Sequence, residues 1–344
     1  MTQWILALCL VVSALAPAHR AQAADPISRS VVPLVGFNPT YRFFAGAGFF
    51  FEKVDPSDRE IKEIGFGFHG LATQTKVLMG KLDYLTRIGN DWELNGNTEI
   101  AKGFEPNYGI GGATRVVDRV DVKMSKLVSD LELQYYLTRQ LSIGLVFDLR
   151  MRRNVPLSPE EEARQKAPYS ERENTFGVGL QEHADYRNVR ANPSFGWYQN
   201  LSVKAFKGFG LIDGNLRLFQ YIWAEELVLA YQLAGGVAVG KPSYLGQFRL
   251  GGTDRLRGFY ENRFRGTRYY LQQSELRFPI FRALSGASFL EFGEVTNSPF
   301  FKVPSVSYGV GIRLGLPPDY VAKIRLDFAF SKDCLLYTSP SPRD

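Results

Sequence analysis

Gly251-Gly252-Thr253-Asp254-Arg255-Leu256-Arg257-Gly258-Phe259-Tyr260-Glu261-Asn262-Arg263-Phe264-Arg265 is a glycine-hinged, arginine-dense segment set between stretches that alternate apolar and polar residues. Alternation with a period of two places successive side chains on opposite faces of a strand. In Ile143–Arg152, Leu145, Phe147, Leu149 and Met151 take one face and Asp148, Arg150 and Arg152 the other. In Lys323–Ser331, Ile324, Leu326, Phe328 and Phe330 oppose Lys323, Arg325, Asp327, Ala329 and Ser331. Such segments succeed one another with no amphipathic helix between them, which predicts an all-β chain. A soluble half-buried sheet and a membrane barrel share this pattern, so other features must separate them.

Composition and the N-terminus do so. The 344 residues include 26 Phe, 17 Tyr and 33 Gly. Mean hydropathy is −0.16, and no long apolar run occurs beyond the N-terminus, which argues against membrane helices. A barrel stays compatible because lumen-facing residues dilute the mean. Trp4 to Leu15 is apolar, Pro17 breaks the run and Ala21-Gln22-Ala23 offers a small-x-small cleavage site, so residues 1–23 read as a secretory signal peptide. Export favours the barrel. Cys9 belongs to the signal, and Leu8 before it is too large for a lipoprotein site. Cys334 opens a tail, residues 334–344, that breaks the strand pattern and resembles a translated sequencing adapter, hence a non-native tail. Residues 24–333 then hold no cysteine, which leaves neither disulfides nor thiolate metal ligands. Lys and Arg number 41 against 35 Asp and Glu, and the signs interleave, unlike the clustered charge of a nucleic-acid binder.

Strands are predicted to begin near residues 40, 60, 75, 91, 122, 139, 175, 193, 211, 227, 266, 284, 304 and 321. Tight turns fall at Ile88-Gly89-Asn90, Leu137-Thr138-Arg139, Ala224-Glu225, Phe281-Arg282 and Pro317-Pro318. Longer loops run over 104–120, 153–172 and 241–265. Tight periplasmic turns and longer outer loops are the barrel habit, so this parity puts the arginine-dense loop on the outer side. One more strand near Val31–Phe37 would be irregular or at an edge because of Pro33.

Leu256-Arg257-Gly258-Phe259, followed by Ser274-Glu275-Leu276-Arg277 and Phe289-Leu290-Glu291-Phe292-Gly293, resembles the motif series of the BamA/TamA-type outer-membrane assembly family, also called the bacterial surface antigen family. The resemblance covers residues 31–333 and is strongest over 246–333. It implies a transmembrane antiparallel β-barrel in the outer membrane of a Gram-negative-type cell, with about 16 strands in the complete protein. Val303–Leu316 and Val321–Ser331 would be the fourteenth and fifteenth strands, the last strand would be missing, and the barrel as written would be open. Residues 24–333 would form the barrel, without the POTRA domains that the family's assembly factors carry before it. The implied role is polypeptide insertion or translocation, without enzymatic activity or cofactor. Its partners would be outer-membrane lipid, outer-membrane protein clients and a periplasmic protein. A passive pore and a structural surface barrel are the other readings.

In the family the loop arginine folds into the lumen and pairs with a wall carboxylate, which here implies Arg257 and Glu291. Strand parity puts Phe289, Glu291 and Gly293 on one face and Leu290 and Phe292 on the other. A guanidinium fork suits a carboxylate, and Glu291 stands where the family usually has aspartate, one methylene shorter. The competing reading makes Arg257 a solvated loop residue. Glu275 with Arg277, and Arg325 with Asp327, share faces and are predicted to line the lumen. Gly65-Phe66-Gly67-Phe68-His69-Gly70 fits a dinucleotide-binding pattern but lies within a strand pattern with no helix after it. His69 and His183 have no partner at zinc-ligand spacing.

Overall fold

Strand Ser305–Gly315 states the architecture in eleven residues. Val306, Tyr308, Val310, Ile312 and Leu314 are all exposed, while Ser305, Ser307 and Arg313 between them are buried. A soluble strand would do the opposite. Apolar side chains outward and polar ones inward is the pattern of a sheet whose outer solvent is lipid. Leu145, Leu149, Leu180, Leu201, Val203, Ile212 and Leu233 continue the apolar exterior on other strands.

The computed structural model describes residues 27–54, 62–156, 171–190, 192–223, 227–281, 283–315 and 323–333. Residues 1–23, expected to be a signal peptide, the stretch 334–344, expected to be a non-native tail, and the expected turns at Ala224-Glu225 and Pro317-Pro318 lie outside the described residues, as does Arg282. The strands are β1 (Ile27–Asn38), β2 (Arg42–Val54), β3 (Lys62–Thr73), β4 (Leu78–Ile88), β5 (Trp92–Asn107) and β6 (Val120–Tyr136). They continue with β7 (Leu141–Asn154), β8 (Arg172–Asp185), β9 (Gly196–Phe206), β10 (Phe209–Tyr221) and β11 (Val228–Gly240). The short pair β12 (Phe248–Leu250) and β13 (Phe264–Gly266) comes next, then β14 (Arg268–Phe281), β15 (Leu284–Thr296), β16 (Ser305–Gly315) and β17 (Lys323–Ser331).

Fifteen of these form one antiparallel sheet in chain order, β1 to β11 followed by β14 to β17, with β1 and β17 as its edges. Among the described residues β1 and β17 do not pair with each other. Pro33 sits on the edge strand β1, where a missing N–H breaks no second ladder. β1 begins earlier than the Val31–Phe37 stretch because Ile27–Ser30 already pair with Phe50–Lys53. No helix among the described residues is long and apolar enough to cross a membrane. The Gly65–Gly70 pattern lies inside β3, without the helix that a dinucleotide site requires.

The three long connections, 108–119, 155–171 and 241–267, open at the same end of the sheet. The division into a tight end and a long end is incomplete. Short turns at 39–41, 74–77 and 207–208 share the long-loop end, and the opposite end carries the longer 186–195 connection. That connection holds its shape through Asn188, whose side chain takes the N–H groups of Ser194 and Phe195, both at 3.1 Å.

The 241–267 excursion does not stand out in solvent. Leu250, Leu256, Phe259 and Phe264 from it form one buried cluster with Ala234, Tyr269, Leu271 and Val295 of the wall. Fully burying one such side chain contributes about 1.5–3 kcal/mol, so this cluster drives insertion. The loop touches β7 through Arg150, the β1–β2 turn through Thr40 and β17 through Ser331. The sheet therefore curls around the loop.

Candidate functional site

The register of the last four strands builds a socket for Arg257. Glu275, Phe289, Gly309 and Ala329 form one row across β14, β15, β16 and β17. Gly309 has no side chain, and the Phe289 ring fills the space a Cβ there would need. Small Gly309 and Ala329 thus leave a hollow floored by Phe289. One row away stand Gln273, Glu291, Ser307 and Ser331, and on the other side Arg277, Ala287, Gly311 and Asp327. Three carboxylates rim the hollow: Glu275, Glu291 and Asp327, the last two 0% exposed.

Arg257 enters from the loop and lies over Phe289, its guanidinium carbon 3.6 Å from the ring centroid. Its Nε donates to Glu291 Oε1 at 2.6 Å, and its backbone N–H to Glu291 Oε2 at 2.5 Å. Its Nη1 reaches Glu275 Oε2 at 2.8 Å and Asp327 Oδ2 at 3.2 Å. Gln273 Nε2 and Ser307 Oγ complete Glu291 at 2.8 and 3.2 Å. Arg313 donates to Asp327, and to Glu275 at 3.1 Å, while Arg277 Nε donates to Glu275 Oε1 at 2.9 Å. Three guanidiniums thus face three carboxylates. Burial disfavours the charge on Arg257, but Glu291, Glu275 and Asp327 outweigh it and raise its pKa well above the ordinary value.

The chain around Arg257 is shaped for this entry. Leu256 has φ 65, a left-handed conformation that Leu resists, and its side chain is 0% exposed, so packing holds it there. Gly258 follows at φ 84, against the backbone of Ala329 and Phe330 of β17. Phe259 is 0% exposed and meets Phe264 edge to face, centroids 5.2 Å apart. Gly293 makes room for the loop: a Cβ there would lie 2.9 Å from Leu250 Cδ1.

Most of the loop-motif and lumen residues expected from the sequence meet at this socket. Arg257 and Glu291 are brought together. Glu275 and Asp327, expected only as lumen lining, bind Arg257 directly. Arg277 supports Glu275 from beside it. Arg325 is set apart: it faces the base of the loop, its Nη2 3.7 Å from Asp254 Oδ1. Arg313, Gln273 and Ser307 were not foreseen, although their inward parity was readable from the alternation of β14 and β16.

A second anchor holds the same loop through Arg265. Arg265 Nη2 and Arg152 Nη1 donate to the two oxygens of Glu105 at 3.2 and 2.6 Å. Both guanidiniums also lie against the Tyr244 ring, the Arg265 and Arg152 carbons 3.5 and 4.3 Å from its centroid. The pairing joins positions far apart in the chain and has no local signature. Burial pulls the Arg265 pKa down to about 10, with Arg249 adding to the fall against Tyr244 and Glu105. Glu261, in the same loop, is pushed up to about 7 by burial and then by Asp254, against Arg249 and Lys126.

An antiparallel sheet with a lipid-compatible exterior, curled around a loop fixed by a buried arginine, defines an outer-membrane β-barrel with an occupied lumen. Residues 64–333 match the Omp85 superfamily domain, and the chain belongs to that superfamily. Among curated proteins it is 31% identical over 136 residues to outer envelope protein 80, chloroplastic, of Arabidopsis thaliana, a match covering 36% of this chain and 18% of that protein. The fold is similar to BamA from Haemophilus ducreyi lacking POTRA domains 1–3, with TM-score 0.60 and 14% identity, over 90% of this chain and 67% of that one. It is also similar to CdiB from Acinetobacter baumannii, with TM-score 0.59 and 11% identity, over 91% of this chain and 59% of that one. CdiB from Escherichia coli gives TM-score 0.60 and 12% identity, over 93% and 62%.

Proposed function

We propose that the chain inserts polypeptides into the outer membrane or moves them across it, with outer-membrane proteins as clients and a periplasmic partner. The observation that carries this reading is the inserted loop. The buried apolar cluster and the charge-balanced arginine socket fill lumen space that steady solute flow would use. A loop so held braces β14 to β17, and a braced wall suits the templating of a client strand. Membership of the Omp85 superfamily supports the same role. Residues 1–23 act as the export signal in this reading, and Arg257 with Glu275, Glu291 and Asp327 serve positioning rather than chemistry. Depleting the protein in its native cell tests the proposal. Outer-membrane barrel levels should fall while their precursors accumulate in the periplasm; normal levels of every barrel would sink it.

A passive pore is the second reading. A cavity of about 1350 Å³ beside the loop, lined by residues such as Lys81, Arg217 and Gln232, favours it. Steady conductance of the intact protein in a planar bilayer would support the pore.

A further inference from the structure

Strands β1 to β4 break the rule that the rest of the wall obeys. Outward they present Val31, Phe43, Phe49, Phe66 and Leu78, all exposed like the apolar exterior of the other strands. Inward, where a water-filled lumen calls for polar side chains, they present Leu34, Phe44, Phe50, Leu71 and Met79. Each of these is half-buried and lines the cavity of about 1350 Å³. Strands that are apolar on both faces suit apolar cover on both.

Register and glycines make the inner apolar side chains one strip. Leu34 stands opposite Gly46, Gly46 opposite Leu71, and Leu71 opposite Met79. A Cβ on Gly46 would lie 2.8 Å from Leu71 Cβ, so glycine makes room there for the leucine. The Phe50 ring spreads over Gly48 and Gly67, 2.8 and 3.1 Å from where their Cβ atoms would stand. Along β2 the strip runs from Phe44 to Phe50, about 20 Å at the rise of a strand. An acyl chain reaches about 15 Å, half of the ~30 Å hydrocarbon core.

The rest of the lining is more basic than acidic. Lys81, Arg150 and Arg187 belong to it, whereas the carboxylates that pair with them, Asp83, Asp148 and Asp185, stand outside it. Lys81 borders the strip, two residues from Met79 on β4 and opposite His69 on β3. The cavity is larger than the roughly 300–1,000 Å³ of sites for small ligands. A peptide on this strip would find no partner for its N–H and C=O groups, because the backbone of β1 to β4 pairs within its own ladders and these side chains offer no strong donor or acceptor. An acyl chain has no such need. We propose that the inner strip of β1 to β4 seats an acyl chain of an anionic phospholipid whose phosphate is held by the basic lining, with Lys81 nearest the strip. The site does not depend on what the protein inserts or conducts.

Native mass spectrometry of the full chain tests it, with the protein in a detergent of uncharged head and titrated with phosphatidylglycerol or with zwitterionic phosphatidylethanolamine. Mobility of unboiled samples on gels checks that each variant is folded. The natural protein should hold one phosphatidylglycerol per chain and bind phosphatidylethanolamine more weakly. Loss of two apolar contacts to a buried chain corresponds to about a tenfold fall in affinity or more. Leu71→Gln combined with Met79→Gln should therefore weaken phosphatidylglycerol binding at least about tenfold. Phe49→Gln combined with Phe68→Gln, on the outer face of the same strands, should leave it unchanged, and Lys81→Gln should reduce the preference for the anionic lipid. Equal binding by the natural protein and the inner pair, loss in the outer pair alone, no preference between the two lipids, an unchanged preference in Lys81→Gln, or a retained peptide in place of lipid would overturn the proposal. Should the inner pair fail to fold, Leu71→Gln alone decides.

Discussion

Arg257 and Arg265 belong to the same inserted loop and are both buried, yet they are held in different ways. Arg257 meets three carboxylates on β14, β15 and β17, and two further arginines balance the charge. Arg265 shares the single carboxylate of Glu105 with Arg152, and both cations lie against the Tyr244 ring. The first site raises the pKa of its arginine and the second lowers it. A balanced socket fixes position against desolvation, because every buried charge has a partner. An arginine-rich stack carries surplus charge and relies on a π face and a carbonyl, Tyr244 O, which accepts from Arg265 Nη1 at 2.6 Å. Arg257 is accordingly the principal anchor and Arg265 the auxiliary one.

The largest effect expected from this contrast is on Arg257→Ala. It leaves the fully buried carboxylates Glu291 and Asp327 short of a cation, a loss of about 3–5 kcal/mol. Limited proteolysis of the protein in liposomes should show new cleavage within 251–266; protection equal to the natural protein would remove the socket's anchoring role. Arg257→Lys should rescue little, since a point charge cannot address three carboxylates at once. Arg265→Ala should cost less, about 1.5–3 kcal/mol, because Arg152 still neutralises Glu105. Combining Arg152→Ala with Arg265→Ala should cost more than the two singles together, read as the unfolding temperature on unboiled gels. Strict additivity there would show that Glu105 is not shared.

Much of this was legible in the chain. The alternation in 143–152 and 323–331 gave the strand faces, because lipid outside and water inside leave a two-residue period in the sequence. The inward side of Glu291 followed from the same parity. The carboxylate trio did not, because it depends on register between four strands, and register is written in turn lengths rather than in any one strand. The short strands β12 and β13 lie in or at the end of the stretch 241–265 that the sequence predicts as loop, since three-residue strands inside a lumen have no periodicity to detect. Glu105, far from Arg265 in the chain, could only be found in three dimensions.

Smaller effects sharpen the contrast. Ser307→Ala removes one of the hydrogen bonds that complete Glu291 and should lower stability by about 0.5–1.5 kcal/mol, with the loop still protected from protease. Glu261 supplies a pH signature that Arg257 lacks. Its carboxyl, pushed up to about 7 from the ordinary 4.5, binds its proton more tightly in the inserted loop than in a released one. That contribution is fully present below about pH 4.5 and is lost as pH rises through 7. Partial contact with water keeps it small. Loop protection from protease should therefore weaken between pH 5 and 8, and Glu261→Gln should flatten the profile; an unchanged slope in the variant would assign the pH dependence elsewhere.

Conductance across a planar bilayer tests the central claim, that a loop anchored by Arg257 occupies the lumen, most directly. The account predicts that the natural protein passes little steady current and that Arg257→Ala opens a markedly larger, steady one. Equal currents from the two proteins, whether both large or both negligible, would contradict it.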